Sequence, residues 1–294
     1  MRILILGVTG MLGHAIWSHL RDKLETFGSI RGGLKELRRS CLFFSRDDKS
    51  IIDEVNVLDD NDLKRALEIA RPSVIVNCVG IVKQLPEGKY PIAAISLNAL
   101  FPHKLARLCD DGNIRLIHMS TDCVFSGEKG NYVENDFPDA DDLYGRTKYL
   151  GEVTGNRCLT LRASIVGRQL SGSKGLLEWF LSQKGKVRGY RKAVFSGLTT
   201  YAIAEIIGIL IEKHSNVNGL LHVSTEAINK YDLLKKLDKT LKLGMDVIPD
   251  DFVVMNRSLD STKFREMTHI RIPTWNEMIE DLAQRVPAYE EWRF

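Results

Sequence analysis

Gly7-Val8-Thr9-Gly10-Met11-Leu12-Gly13 directly follows the apolar run Ile3 to Leu6. Apolar residues then recur at helical spacing from Leu12 to Leu24. A short strand that breaks on glycine and resumes as an amphipathic helix is the start of a βαβ unit. The three glycines have separate uses: one lets the chain turn sharply, one lets the backbone approach a pyrophosphate, and one lets helix pack on strand. The helix N-terminus then offers unpaired N–H groups and a partial positive charge to phosphate oxygens. An ordinary glycine-rich turn is the bland alternative, and the position after an apolar strand speaks against it. The loop predicts a dinucleotide site that includes Gly7, Thr9, Gly10, Met11, Leu12 and Gly13.

Working outward, short apolar runs alternate with helical patterns. Phe27 to Ile30, Val74 to Val79, Ile114 to Met119 and Cys158 to Leu161 are strand-like. Asp60 to Ala70 is helical with Asp60 or Asn61 as N-cap, and Ile92 to Cys109 is helical. Arg31 to Val55 is expected to hold a short helix and a loop. Continuous apolar strands alternating with helices predict an α/β fold, a Rossmann-type doubly wound parallel sheet over residues 1–165. Beyond Ala163 glycines and polar residues cluster at 167–175 and 185–197. One more strand, Leu220 to Ser224, is expected to rejoin the sheet, with helices around 230–241 and 274–285. Residues 166–294 are thus expected to form a smaller, mixed α/β C-terminal substrate lobe.

The 294 residues are 44% hydrophobic and 27% charged, which excludes disorder, collagen and coiled coil as descriptions of the whole chain. Lys plus Arg is 41 against 38 Asp plus Glu, so charge gives no reason to expect nucleic acid or a membrane as partner. Ile203 to Ile211 is too short to span a bilayer and contains Glu205. The N-terminal apolar run is broken by glycine and has no cleavage site, which argues against a signal peptide. Cys41, Cys78, Cys109, Cys123 and Cys158 are odd in number and lack Cys-x-x-Cys spacing, so reduced thiols in a cytoplasmic protein are expected. The seven histidines show no metal-ligand spacing, and no metal is expected.

The second strand should end beside the adenosine ribose, where an Asp or Glu would bind the 2′-hydroxyl and favour NAD. Here Phe27-Gly28-Ser29-Ile30 ends in Arg31, with Arg38 and Arg39 behind it. A guanidinium can grip a 2′-phosphate bidentately. Arg31 points to NADPH, with NADH left open, while Arg38 and Arg39 read as solvated charges. Tyr144-Gly145-Arg146-Thr147-Lys148 puts Tyr and Lys at i and i+4, on one helix face. A nearby ammonium favours phenolate and should lower the tyrosine pKa, fitting Tyr144 to give a proton to a carbonyl oxygen. The pattern is common by chance, but here it follows Ser120-Thr121-Asp122-Cys123-Val124-Phe125 at the end of a strand, where open α/β sheets bind ligands. Ser120 by itself is equally well read as a strand-end cap.

With these motifs the chain resembles the extended short-chain dehydrogenase/reductases, and within them the dTDP-4-dehydrorhamnose reductase (RmlD-like) family. The resemblance rests on GVTGMLG, VIVNCVG, STDCVF, YGRTK followed by LGE, LRAS, and Arg257-Ser258-Leu259-Asp260. It implies that Tyr144 is the proton donor, that Lys148 holds the nicotinamide ribose and tunes Tyr144, and that Thr121 is the catalytic Ser/Thr. It further implies Asn98 supporting the lysine, Cys78, Val79, Gly80 and Ser120 along the cofactor, and Ala163 and Ser164 beside the nicotinamide. Cys123 stands where the family often has Tyr, Ala163 where it often has Thr, and the stretch from Gly80 to Gln84 differs from the usual rhamnose-enzyme segment. These differences border the sugar site and leave the sugar open.

A nucleotide diphosphate sugar needs cations and a platform for its base. Lys174, Trp179, Lys186, Arg188, Tyr190, Arg191, Lys192 and the segment Ser196 to Thr200 are candidates, and Lys83, Asp122, Trp179 and Arg257 are preferred beside Thr121. The expected activity is NADPH-dependent reduction of the C4 ketone of a nucleotide-activated 4-keto-6-deoxy sugar, for polysaccharide or deoxysugar biosynthesis. The alternatives are a UDP-linked N-acetylated keto-sugar reductase or epimerase on the same scaffold, and a non-catalytic cofactor-binding regulatory subunit like that of methionine adenosyltransferase. A homodimer is compatible with any of these.

Overall fold

The computed structural model describes residues 1–44, 49–83, 86–173 and 175–292. Its central sheet contains β1 (Arg2–Leu6), β2 (Glu25–Ser29), β3 (Ile51–Ile52), β4 (Val74–Asn77), β5 (Arg115–Ser120), β6 (Cys158–Arg162) and the strand Gly219–His222. All neighbours are parallel, in the order Gly219–His222, β6, β5, β4, β1, β2, β3. The chain leaves β1 in both lateral directions, so the crevice for a ligand lies at the carboxyl ends of β1 and β4. Register puts Leu6 level with Ser29 and with Asn77, so Gly7, Ile30 and Cys78 leave the sheet at one edge.

Each face of the sheet is buried. Ile3 and Ile5 point into one core with Val76, Ile117 and Leu159; Leu4 and Leu6 point into the other with Ile75 and Leu116. This explains the continuous apolar runs at residues 3–6 in β1 and 74–76 in β4, which do not alternate with polar residues. The helix α1 (Met11–Leu20) and the helix Thr200–Lys213 cover the first face, and Asp60–Ala70 and Phe101–Asp111 cover the second.

Several details differ from the sequence reading. The stretch 31–55 contains the expected short helix, Leu34–Ser40, but also β3, whose two residues are too few to show periodicity. The helix Asp60–Ala70 is capped one residue earlier than expected, by Asp59, whose carboxylate accepts from the backbone N–H of Asn61 and Asp62. β4 ends at Asn77, so Cys78 and Val79 lie in the loop beyond it. Ile92 to Cys109 is helical but passes through a widened π-type turn at Ile95–Leu100. The last helix, Trp275–Trp292, runs on past Pro287. Outside the central sheet, Ala193–Phe195 is flanked by Ile228–Asn229 and Met255–Asn256, and Lys186–Tyr190 pairs with Asp246–Asp250.

Candidate active site and cofactor cleft

The phosphate loop is shaped by two glycines. Gly7 sits at φ +85°, a backbone region costly for other residues. A Cβ on Gly13 would lie 2.2 Å from the Gly7 carbonyl oxygen, so α1 can start this close to β1 only without one. The loop is tied to β2: Gly7 N donates to Ser29 Oγ at 3.2 Å and Val8 N to Ser29 O at 3.0 Å. Thr9 and Gly10 remain exposed at the mouth, Met11 is half-buried, and Leu12 and Gly13 are buried beneath. Open backbone at a helix N-terminus, next to the crevice, fits a dinucleotide pyrophosphate. Arg31 is exposed just past β2, whereas Arg38 donates from Nε to Phe44 O at 2.8 Å. Arg38 is therefore partly anchored rather than merely solvated.

Tyr144 and Lys148 lie one turn apart on the helix Leu143–Leu150, which Asp142 caps by accepting from Gly145 N at 2.7 Å. A Cβ on Gly145 would meet the Cys123 carbonyl oxygen at 2.2 Å, so this glycine lets the helix press against the Thr121–Phe125 segment. That approach places Tyr144 against the Thr121–Phe125 segment, close enough for Thr121 and Cys123 to act on its phenol. Thr121 Oγ1 also donates to Asp122 Oδ1 at 3.1 Å and accepts from Cys123 N at 3.2 Å. Asp122 is buried beside Ser164; burial raises its pKa, opposed first by Arg257. Ala163 is buried at the end of β6.

Lys148 donates from Nζ to Met119 O at 2.7 Å. Burial brings its pKa down to about 8, against the opposing pull of Glu152 and Cys78. The Cys78 thiol is pushed up to about 12 by its own burial. Tyr144 moves the opposite way from the sequence expectation. Burial raises its pKa and the Cys123 thiol adds to the rise, while the neighbouring Thr121 opposes them. Proximity in helical register was the basis for expecting the reverse, and desolvation of the phenol is the larger effect.

The folded protein releases the Lys148 proton near pH 8, while the unfolded chain holds it to its ordinary value of 10.5. Stability contributed at this site therefore rises as pH increases from about 8 to 10.5, and below that window burying the ammonium costs about 3 kcal/mol. Lys148→Met is expected to be more stable than the wild type near neutral pH, with the gap closing towards pH 10.5. Urea unfolding of both proteins across that range checks it.

Asn98 is buried and joins three segments. Its Oδ1 accepts from Ile81 N at 2.8 Å, and its Nδ2 donates to Ile81 O at 2.9 Å and to Thr147 Oγ1 at 3.3 Å. It thus supports the lysine helix through the residue preceding Lys148. Val79 N donates to Asn77 Oδ1 at 3.0 Å, and Gly80 is exposed at the cleft edge. The Ser120 hydroxyl is committed elsewhere: it donates to Glu152 Oε1 at 2.6 Å, which leaves its main chain for any cofactor contact.

Arg257 is buried against the same segment, with Nη1 3.4 Å from Cys123 Sγ and Nε donating to Ser126 O at 3.3 Å. Lys83 Nζ lies 4.0 Å from Asp142 Oδ2. Lys230 joins them, a residue the sequence reading missed: burial lowers its pKa, followed by the like charge of Lys83, while Cys123 and Asp122 oppose. Its position comes from Ile228–Asn229 pairing with Ala193–Phe195, the same strand that holds Met255–Asn256. Trp179 is partly exposed beside Phe180 on the helix Leu176–Leu181, which starts after Gly175 close to Met11. Lys186, Arg188 and Arg191 face Asp246, Asp250 and Asp251 at 3.8, 3.3 and 2.6 Å, so these three cations are paired on the outer ribbon rather than free for phosphate. Ser196 Oγ accepts from Leu259 N at 2.8 Å, and Lys174 and Gln84 lie outside the described residues. Among the described residues no cluster of His, Cys, Asp or Glu could hold a metal ion, and no helix is long and apolar enough to cross a membrane.

A seven-stranded parallel sheet covered by helices on both faces, with a glycine-rich loop at its crevice, is a Rossmann-type architecture. The model of the RmlD substrate binding domain matches residues 1–287, and the chain belongs to that family. The dTDP-4-keto-6-deoxy-D-glucose reductase of Streptomyces niveus is 32% identical over 152 residues, 51% of this chain and 46% of the relative. The methionine adenosyltransferase 2 subunit beta of Danio rerio is 31% identical over 152 residues, 51% of this chain and 42% of the relative. Each match therefore spans less than half of the relative's own length. The dTDP-4-dehydrorhamnose reductase of Bacillus anthracis, solved in complex with NADP, superposes with a TM-score of 0.77 at 19% identity, covering 96% of this chain and 98% of that one.

Proposed function

We propose that the protein is an NADPH-dependent reductase of a nucleotide-activated 4-keto-6-deoxy sugar. The observation that carries this reading is the placing of Tyr144 beside Thr121, one helical turn from a buried Lys148. The residues fit the cofactor: the exposed backbone of Thr9 and Gly10 receives the pyrophosphate, Arg31 the 2′-phosphate, and Gly80, Ala163 and Ser164 border the nicotinamide side. NADPH supplies hydride to the ketone carbon. Tyr144 delivers a proton to the carbonyl oxygen, Thr121 orients that oxygen, and Lys148 holds the ribose and, as a cation, favours proton loss from the phenol. The raised Tyr144 pKa suits a proton donor that stays neutral until the carbonyl oxygen becomes basic.

In this reading the substrate side is built from parts of residues 166–294 other than Thr200–Lys213 and Gly219–His222, which belong to the central sheet and its covering layer, together with Lys83. Lys83, Lys230 and Arg257 gather at the far end of the Thr121–Phe125 segment and suit the diphosphate, and Trp179 offers a face to the base. Lys230→Met is expected to raise KM for the sugar nucleotide about tenfold, the loss of one charge-assisted contact, with kcat little changed. The odd number of cysteines and the lack of Cys-x-x-Cys spacing favour a cytoplasmic location, and a homodimer is compatible with the fold.

The test is NADPH oxidation against a panel of dTDP- and UDP-linked 4-keto sugars. Turnover with one of them supports the reading. Tight NADPH binding with no oxidation by any of them overturns it. An epimerase would interconvert a sugar nucleotide with no net NADPH consumption. The relatedness to a methionine adenosyltransferase beta subunit favours a second reading, a cofactor-binding regulatory subunit. Recovery of a stoichiometric protein partner, whose activity is unchanged by Tyr144→Phe, would support that one.

A further inference from the structure

The C-terminal helix Trp275–Trp292 ends against the phosphate loop from the side opposite the crevice. His14, fully buried one turn into α1, bridges the two. Its Nδ1 lies 2.8 Å from the Gly10 carbonyl oxygen and its Nε2 lies 2.5 Å from the Tyr289 hydroxyl. A carbonyl only accepts, so Nδ1 carries the hydrogen; in the neutral ring Nε2 then accepts and Tyr289 donates. Tyr289 is buried, lies close to Tyr201 on the helix Thr200–Lys213, and is packed on Trp292 with ring centroids 4.9 Å apart. Trp292 in turn meets Phe43 at 4.9 Å, in the segment that follows Arg31 and Arg38. The last turn of the chain thus braces both the phosphate loop and the side of the cleft where the adenosine end of a dinucleotide would lie.

The peptide between Gly10 and Met11 is one rigid plane, in which the carbonyl and the N–H point in opposite directions. The Gly10 carbonyl is held twice by the same residue, by His14 N at 3.1 Å and by the ring. Fixing that carbonyl fixes the aim of the Met11 N–H, the first donor of α1, towards the crevice.

We propose that Tyr289 and His14 are positioning residues for the dinucleotide: the hydrogen-bonded chain Tyr289–His14–Gly10 orients the Met11 N–H towards the pyrophosphate. This rests on the cofactor part of the reading above and not on any sugar.

The experiment is NADPH titration, followed by nicotinamide fluorescence, of the full chain and of Tyr289→Phe, which keeps the ring and removes only the hydroxyl. NADPH Kd is expected to rise about five- to tenfold, the range of one lost hydrogen bond. In a His14→Asn background, where the position no longer reaches Tyr289, the same Tyr289→Phe change is expected to leave Kd unaltered. An unchanged Kd in Tyr289→Phe, even with a lower urea midpoint, overturns the proposal, because it leaves these residues a purely structural role. So does an equal loss in both backgrounds. Should His14→Asn fail to fold, the single variant decides. No binding of NADPH or NADH by the wild type overturns the cofactor reading and this inference with it; wild-type binding with unchanged variant affinity overturns the inference alone.

Discussion

Tyr144→Phe is expected to lower kcat about 10²–10⁴-fold. The substitution removes a single oxygen. The ring stays beside Thr121 and Cys123, and the helix Leu143–Leu150 keeps its Asp142 cap and its Gly145 contact. NADPH affinity should stay within a few-fold of wild type, because the phosphate loop and Arg31 are untouched. The loss should fall on kcat and kcat/KM alike, the signature of an interaction made in the transition state. Steady-state kinetics with the sugar nucleotide identified by the panel, alongside a cofactor titration, checks it. An activity that survives the change would move the proton donor to another group.

Glu152→Gln is expected to cost about 3–5 kcal/mol of stability. Glu152 and Arg162 face each other with side chains 5% and 2% exposed. The pair is a two-point fork, Nε to Oε1 and Nη2 to Oε2, each 2.7 Å. Ser120 donates to the same carboxylate, and Arg162 continues to His222 at 3.2 Å and over the Phe125 ring at 5.0 Å. Removing the negative charge leaves a buried guanidinium uncompensated, which is more costly than never having built the pair. Urea unfolding measures the loss. The double variant Glu152→Leu, Arg162→Met should recover a large part of it. A second consequence reaches the site: Glu152 favours the Lys148 ammonium, so the Lys148 pKa falls below about 8 in the variant and the alkaline side of the pH–activity profile moves to lower pH.

The contrast between these two residues shows where legibility in the sequence ends. Tyr144 and Lys148 are visible because helical periodicity puts i and i+4 together whatever else the chain does. Glu152 belongs to the same helix end and was visible only as a letter in a motif, since a carboxylate in a helical stretch is usually solvated. Its partners Ser120 and Arg162 are assembled by β5 and β6 lying side by side, in a register that sets Ser120 beside Arg162. Lys230 is a stronger case. Nothing within its own segment marks it, and its neighbours Lys83, Asp122, Cys123 and Arg257 come from three other parts of the chain. Lys186, Arg188 and Arg191 differ in the other direction: they were candidates by composition, and pairing of Lys186–Tyr190 with Asp246–Asp250 sets Lys186 and Arg188 beside Asp246 and Asp250, with Arg191 and Asp251 meeting just beyond.

The sequence alone determined the fold class, the glycine loop after β1, and the placing of Tyr144 and Lys148 on one helix face and of Thr121 at a strand end. The first follows from apolar runs long enough to be strands, buried on both faces. The second follows from glycine spacing, and the third from helical spacing and a strand end. All are local patterns, so their physical consequences are written over a few residues. Tertiary structure decided what depends on contacts between distant segments: the two-residue strand β3, the third cation at Lys230, the Glu152–Arg162 fork, and the brace from Tyr289 to Gly10. It also decided the direction of the Tyr144 pKa, because the desolvation that raises it is produced by the surrounding fold and not by the four-residue interval to Lys148.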